Sequence, residues 1–495
     1  MGGGSSQVRV NPSSRNFVHA LRRLVSGAVS YEPGCDSSGY LPQLTPDLCR
    51  APGGRGMLDM AVFPGKDWPS GEAMGSRPVE SMAEDAMRPG LVLPRNPVQP
   101  GRKGSYSVRL AGVLTPPAAG VYEFGLACSG RARFRVGGQV IAELPRPGGA
   151  GGPRPQSVGD MCPRMDEVRV CARLAAGCGT ELEVEWVPSL RPPVGAHLLL
   201  GCRPRAPRDD PSAALDGAAA AAAAADAAVV VVGHTSVDET EGRDSAGLAI
   251  EAPVLELIRR VAAANARTVL VLNSCVPRDV GPVLGAVPAV VVSWFGGQEA
   301  AAGLASALVE GGWGPCGRLP FTWPRALGDT PAAFPDGAEG PRYPGVFADA
   351  AQEQGRVFYE EGLLLGYRWY QHRAIPPLFA FGHGLGYSSI AYRALELSCG
   401  AELPAGRGVE LRVTVANTGT RPTKEVVQAY VAATGGAPLA GVKQLRAFAK
   451  RALAPGEAAT VTLQLEPSAL PAPGFEVLVG PSSADTPLRR VVRVA

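Results

Sequence analysis

The sequence predicts a multidomain chain, α/β plus all-β, in which a parallel α/β unit stands between a block of short strands and a terminal β-sandwich. Three observations carry this. The runs VVVV (Val229–Val232), TVLVL (Thr268–Leu272) and AVVVS (Ala289–Ser293) are short, unbroken and β-branched, as suits parallel strands buried on both faces. Between the first two, Val254, Leu257, Ile258 and Val261 recur at helical spacing, with Pro253 placed for a first turn. On either side of this unit, short alternating strands are cut by Gly and Pro instead.

In chain order, the opening MGGGSSQVRVNPSSR has no apolar core, so no signal peptide is expected in it. From about 54 to 203, SYSVRLAGVLTPP, GVYEFGLACSG, ARFRVGGQVIAEL and TELEVEWVP read as an all-β domain. The α/β pattern runs from about 213 to 325, and its later helix, near Gln298–Glu310, is expected to end at Gly311-Gly312. Residues 326–376, rich in Gly, Pro and aromatics, read as a long ordered loop. The last hundred residues return to strands: VELRVTVANTG, EVVQAYVAAT, AATVTLQLEP and GFEVLVG predict a small sandwich of immunoglobulin or fibronectin type.

Composition narrows the function. The 495 residues are 45% hydrophobic and 19% charged, with 63 glycines and 47 prolines, which makes a loop-rich globular protein. Lys and Arg number 48 against 45 Asp and Glu, with no basic stripe, so no nucleic-acid partner is expected. No run is long and apolar enough to span a membrane; GAAAAAAAADAAVVVV comes nearest but carries an Asp. The ten cysteines form no CxxC pair and read mostly as buried thiols. P-loop, HExxH and GxSxG motifs are missing, so neither a cofactor nor a metal is inferred.

The strand Val229–Val232 stops at Gly233, and Asp238, Glu239, Glu241, Arg243 and Asp244 follow closely. Ligands of open α/β sheets bind beyond the carboxyl ends of the strands. In an extended segment Glu239 and Glu241 share a side, and Gly242 can turn the chain. A partly shielded carboxyl there suits a general acid. On local pattern alone the ordinary reading is a solvated loop with Arg243 pairing an acid, because perturbed carboxylates are a minority of loop acids. Trp294 and Phe295, after the third strand, line the same pocket or merely lid a tight turn. His383, between glycines, reads as structural. Glu360 and Glu361 read as partners of Arg356 or Arg368 or as helix caps.

Taken together, these stretches resemble family 3 glycoside hydrolases, the β-glucosidase and β-xylosidase family. TEGRDS is similar to that family's acid/base loop, in which Glu-Gly-x-Asp-Arg follows a buried strand. GGGSSQVRVNPSS and GAVSYEPGCD resemble the entry into its second domain. The runs SWFGGQEAAAGLASALVEGGWGPCGRLPFTWP and VFYEEGLLLGYRWYQHRAIPPLFAFGHGLGYSS resemble later segments of that domain. VTVANTGTRPTKEVVQAYV and LRAFAKRALAPGEAATVTLQL resemble its fibronectin-type-III-like tail. SVRLAGVLTPPAAGVYEFGL resembles the anthrax-protective-antigen-type β-domain that some members insert, although Gly137 stands where that domain commonly has Asp.

The resemblance implies a parallel α/β sandwich interrupted by an inserted β-domain and followed by an immunoglobulin/fibronectin-type β-sandwich. The implied divisions are 1–52 and 204–390 for the α/β domain, 53–203 for the insertion and 391–495 for the tail. It implies Glu241 as acid/base with Glu239 as alternative, and Trp294, Phe295, Arg243 and Asp244 as substrate contacts. The implied substrate is a β-linked oligosaccharide or glucoside. Two departures stand out: Ser245 replaces the family's Arg after the Asp, and the barrel bearing the nucleophile has no counterpart here. That barrel is expected upstream or on a separate chain, and this chain alone is expected to be inactive. The alternatives are a non-catalytic carbohydrate-binding module or a truncated gene model.

Overall fold

The computed structural model describes residues 16–35, 40–82, 90–93, 97–98, 104–145, 167–189, 196–205, 210–234, 247–310, 314–332, 359, 361–435 and 439–495. It shows mixed α/β and β architecture with several separate sheets.

Helix α1 (Phe17–Leu24) is capped by Asn16, whose side chain accepts from the His19 N–H. Among the described residues eleven strands follow: β1 (Cys49–Arg50), β2 (Leu58–Pro64), β3 (Gly75–Val79), β4 (Leu91–Leu93), β5 (Tyr106–Leu114), β6 (Gly120–Cys128), β7 (Gly130–Val136), β8 (Gln139–Leu144), β9 (Val168–Leu174), β10 (Thr180–Pro188) and β11 (Ala196–Pro204). They form two antiparallel sheets, ordered β3-β2-β5-β10-β7-β8, with β1 also on β5, and β4-β11-β6-β9. The strands alternate. Tyr106, Val108 and Leu110 of β5 face a core with Phe124, Phe134 and Trp186, while Arg109 turns outward. On that outer face Arg133 and Arg135 of β7 stand opposite Glu185 and Glu183 of β10, cross-strand pairing that neutralises a sheet surface. Gly137 and Gly138, both at positive φ, close the β7–β8 hairpin.

Leu44 and Cys49 are buried in this core. The seam expected at residue 52 therefore falls inside the packed β block. Cys49 and Cys202 fit the expectation of buried thiols, and burial pushes both up to about 12. Cys171 and Cys178 do not fit it, being exposed.

The α/β unit contains α2 (Pro211–Ala223), β12 (Ala228–Gly233), α3 (Ala252–Ala264), β13 (Thr268–Asn273), α4 (Gly281–Leu284), β14 (Ala289–Val292) and α5 (Ala300–Val309). The three strands are parallel, in the order β12-β13-β14. Val254, Leu257, Ile258 and Val261 of α3 are all buried, against Val230, Val232, Leu270 and Leu272. The expected burial of β12 on both faces is not met: Val229 and Val231 are 38% and 47% exposed. The apolar core with α2 and α3 takes only the alternate residues, and among the described residues β12 has a single neighbouring strand. Residues 16–35 join this unit. Helix α1 packs on α5, Cys35 lies against the core, and a Cβ at Gly34 would stand 2.6 Å from Leu257. The later helix begins with a 3₁₀ turn at Gly297–Glu299; its expected Gly311-Gly312 end lies outside the described residues.

The described part of 326–376 is less of a loop than expected, because α6 (Tyr367–His372) buries Trp369 and Tyr370. The tail contains β15 (Ile390–Leu397), β16 (Glu402–Leu403), β17 (Val409–Asn417), β18 (Thr423–Ala433), β19 (Gln444–Leu453), β20 (Ala458–Leu465), β21 (Gly474–Gly480) and β22 (Leu488–Val494). Its sheets, β15-β17-β20 and β16-β22-β21-β18-β19, share a core around Val413, Val427 and Phe475.

Candidate functional site

Parallel strands deliver their C-terminal ends to one edge of a sheet, and here the ends of β12, β13 and β14 lie along that edge. Gly233 ends β12 beside Asn273 of β13. A Cβ at Gly233 would stand 2.6 Å from the Asn273 carbonyl oxygen, so only glycine allows this approach. The register then sets His234 next to Ser274, with His234 Nδ1 and Ser274 Oγ 3.0 Å apart. Ser274 Oγ also donates to the Val276 carbonyl at 2.8 Å.

Arg278, buried in the β13–α4 connection, joins the group from the other side. One guanidinium nitrogen donates to His234 Nε2, and the other lies 3.2 Å from both Glu251 carboxylate oxygens. The backbone adds two ties: Asp279 N–H donates to Leu248 O at 2.6 Å, and Trp323 Nε1 donates to Arg278 O at 2.9 Å.

The third terminus is Trp294, just past β14. It is a non-glycine residue at φ +52°, a strained conformation that surrounding structure must enforce. Its ring packs edge-on to Phe321 at 5.5 Å, and the aromatic run continues through Trp323 and Phe379 to His383. Trp294 and Phe295 are both half-buried. The turn after them is tight, since a Cβ at Gly296 would lie 2.9 Å from that of Ala300.

Glu239, Glu241, Arg243 and Asp244 lie outside the described residues, as does Glu360. What the structure does show is both stems of their segment, His234 on one side and Leu248–Glu251 on the other, tied to the same connection. Glu361 sits in a turn before α6, its carbonyl accepting from the Leu364 N–H. Among the described residues no hydrogen bond or ion pair links its carboxylate to the strand ends. His383 stacks on Phe379 at 5.1 Å. Burial, and secondarily Arg318, lower its pKa, so a neutral, packed ring results.

The sequence reading passed over His234, Ser274, Arg278 and Glu251. Each sits within a few residues of a predicted strand or helix terminus. The signal for two of them was the equal length of the AVVVVG and TVLVLN runs, which brings the next residues level. Arg278 and Glu251 carried no such signal. Among the described residues no group of three or more His, Cys, Asp or Glu is placed to hold a metal.

The fold and site define a multidomain α/β protein with a polar strand-end site and a fibronectin-like β tail. Its family is shown by the profile of the glycosyl hydrolase family 3 C-terminal domain, which matches residues 1–367, and by that of the fibronectin type III-like domain, which matches 425–472. The chain belongs to glycosyl hydrolase family 3. A β-glucosidase from Rhizobium radiobacter is 34% identical over 382 residues, 77% of this chain and 44% of the relative. A probable β-glucosidase I from Aspergillus terreus is 30% identical over 452 residues, 89% of this chain and 50% of the relative. The chain thus spans about half the length of these curated relatives. Among solved structures, a β-glucosidase from Kluyveromyces marxianus shares the fold over the whole chain and 57% of its own length, with TM-score 0.73 and 24% identity. A β-glucosidase from Streptomyces venezuelae in complex with D-glucose has TM-score 0.59 and 26% identity, covering the whole chain and 54% of its own.

Proposed function

We propose that this chain supplies the acid/base side of a retaining β-glycosidase of β-glucosidase type, acting on a β-glucoside or β-linked oligosaccharide. One observation carries the reading: β12 runs directly into the carboxylate-rich segment at the carboxyl edge of the sheet, and both stems of that segment are fastened there. The names of the relatives support the substrate class.

In this reading Glu241 protonates the leaving oxygen and then, as carboxylate, deprotonates the attacking water; Glu239, two residues away, is the alternative. Trp294 and Phe295 offer apolar faces to a sugar ring, and Arg243 and Asp244 hydrogen-bond its hydroxyls. Retention requires a second carboxyl roughly 5 Å from the first as nucleophile. That group comes from a barrel domain, upstream or on a separate chain. The same reading makes the two sheets before the α/β unit an inserted protective-antigen-type domain interrupting an α/β sandwich. With Gly137 and Gly138 in a hairpin turn, any glycan contact of that domain does without the usual Asp.

Nitrophenyl glucosides test this, with the chain alone and with a family 3 barrel supplied. The chain alone gives no turnover beyond background; robust turnover would place a nucleophile within residues 1–495. In the complemented enzyme, Glu241→Gln lowers hydrolysis of poor leaving groups by about two to four powers of ten, activated ones less, and azide partly restores it. Full activity in Glu241→Gln with loss in Glu239→Gln would move the assignment by two residues. Sugar binding without turnover in the complemented enzyme would make the chain a binding module.

A further inference from the structure

We propose that Arg278 is a positioning residue. It holds His234 in the Nδ1-protonated tautomer and, through Glu251, ties together both stems of the segment that carries Glu239 and Glu241.

The direction of the hydrogen bonds follows from what each group is able to do. A guanidinium is always protonated and has no acceptor. The nitrogen it meets, His234 Nε2, must therefore offer a lone pair, and the ring proton must sit on Nδ1. That proton points at Ser274 Oγ, 3.0 Å away, and the Ser274 hydroxyl hydrogen goes on to the Val276 carbonyl at 2.8 Å. The order is Arg278 to His234 to Ser274 to backbone. It runs opposite to a serine nucleophile's proton transfer, where the hydroxyl donates to the imidazole. A Ser–His pair that looks like hydrolase machinery is thereby a fixed scaffold.

The tie is geometric. His234 is the last described residue before 235–246, and Glu251 stands just ahead of α3 on the far side of it. Arg278 reaches the first with one nitrogen and the second with the other. The guanidinium is itself buried, its backbone carbonyl is held by Trp323 Nε1, and its neighbour Asp279 binds Leu248. A planar, two-pronged donor on a short connection fixes the distance between two stems in a way a single ammonium does not. The bearing on catalysis rests on the glycosidase reading above; the tautomer and the tie do not.

The test uses the full chain labelled with ¹⁵N-histidine, with the His234 signal assigned by loss in His234→Gln. Long-range proton–nitrogen spectra at neutral pH are expected to show His234 protonated on Nδ1 and bare on Nε2. Arg278→Met removes the donor that keeps Nε2 bare: the Nε2–H tautomer becomes detectable beside the Nδ1–H one, and amide exchange at Leu248–Glu251 rises by about tenfold while exchange in the tail sheets is unchanged. Arg278→Lys restores a donor for Nε2 and so the tautomer, but not the second prong, and exchange stays raised. Should Arg278→Met not fold, Glu251→Ala isolates the tie, raising exchange at Leu248–Glu251 with the tautomer intact. A native His234 protonated on Nε2, or labelling of Ser274 by a fluorophosphonate, would overturn the proposal. So would unchanged exchange in Glu251→Ala. None of these measurements involves turnover, so an inactive complemented enzyme would sink the glycosidase reading alone.

Discussion

Glu425 sits on the tail, and its side chain is 3% exposed; Arg318, from the α/β unit, is 12% exposed and pairs with it at 2.6 Å. Tyr392 donates its hydroxyl to the other carboxylate oxygen at 2.9 Å, and Arg318 also binds the Gly384 carbonyl at 2.7 Å. Burial raises the Glu425 carboxyl above its ordinary 4.5, and Arg318 and Tyr392 offset only part of that. Removing either partner should therefore have unequal effects. Arg318→Met strands a carboxylate with almost no access to water, which costs about 3–5 kcal/mol near neutral pH. Glu425→Gln keeps an acceptor for Tyr392 and leaves Arg318 its carbonyl partner, so about 1–2 kcal/mol is expected. The two also part company with pH. Because the folded pKa lies above the unfolded one, the group's contribution to stability is complete below about 4.5 and is lost as pH rises through the folded value. Relative to the native chain, Glu425→Gln should then improve as pH rises, and Arg318→Met should worsen. Urea unfolding at mildly acidic and mildly alkaline pH, read on the transition that the variants move, measures both. Equal losses at neutral pH, or a penalty for Arg318→Met that shrinks as pH rises, would refute the claim that burial dominates this pair.

Other outcomes are expected from packing and exposure. Ile258→Ala, at a fully buried position of α3, should lower stability by about 2–5 kcal/mol in calorimetry or denaturant unfolding. Gly382→Ala combines φ +83° with a Cβ 2.3 Å from Gln428 Oε1 and should cost more than about 1 kcal/mol, seen as a lower thermal midpoint. Iodoacetamide at mildly alkaline pH should modify Cys171 and Cys178 in the native chain and spare Cys49 and Cys202, whose thiols lie near 12; peptide mapping reads the pattern.

Much of the fold was legible because its elements obey simple periods. The i, i+3, i+4, i+7 spacing of Val254, Leu257, Ile258 and Val261 named the buried face of α3, and the alternation in TELEVEWVP named β10 with its inward Leu182, Val184 and Trp186. Where the reading failed, tertiary context decided. VVVV looks the same whether one face or two are covered, and only the sheet's surroundings expose Val229 and Val231. Leu41–Ala51 has no period to assign it, and long-range pairing of β1 with β5 draws it into the β block. The site was half legible. Charge after a strand end pointed to Glu241 and its neighbours, but Arg278 acts across 44 residues of chain on His234, a proximity that no local window contains.

The contacts around α6 bear on how the tail works. The Tyr367 ring lies 5.0 Å from Phe381 and 5.8 Å from Tyr430, and its hydroxyl accepts from the Leu445 N–H at 2.8 Å. Gln371 is bound at both ends of its amide, to Gly441 O and to the Lys443 N–H. Phe381 O accepts from Ser483 N–H. A tail acting as a separately tethered glycan binder needs a solvated linker and few crossing contacts. Here the crossing contacts are aromatic and paired, and they continue inward: Glu425 holds Arg318, whose neighbour Leu319 hydrogen-bonds to His383, and His383 stacks on the aromatic run that ends at Trp294. The tail therefore buttresses the segment 361–388, and through it the aromatic wall beside the strand ends.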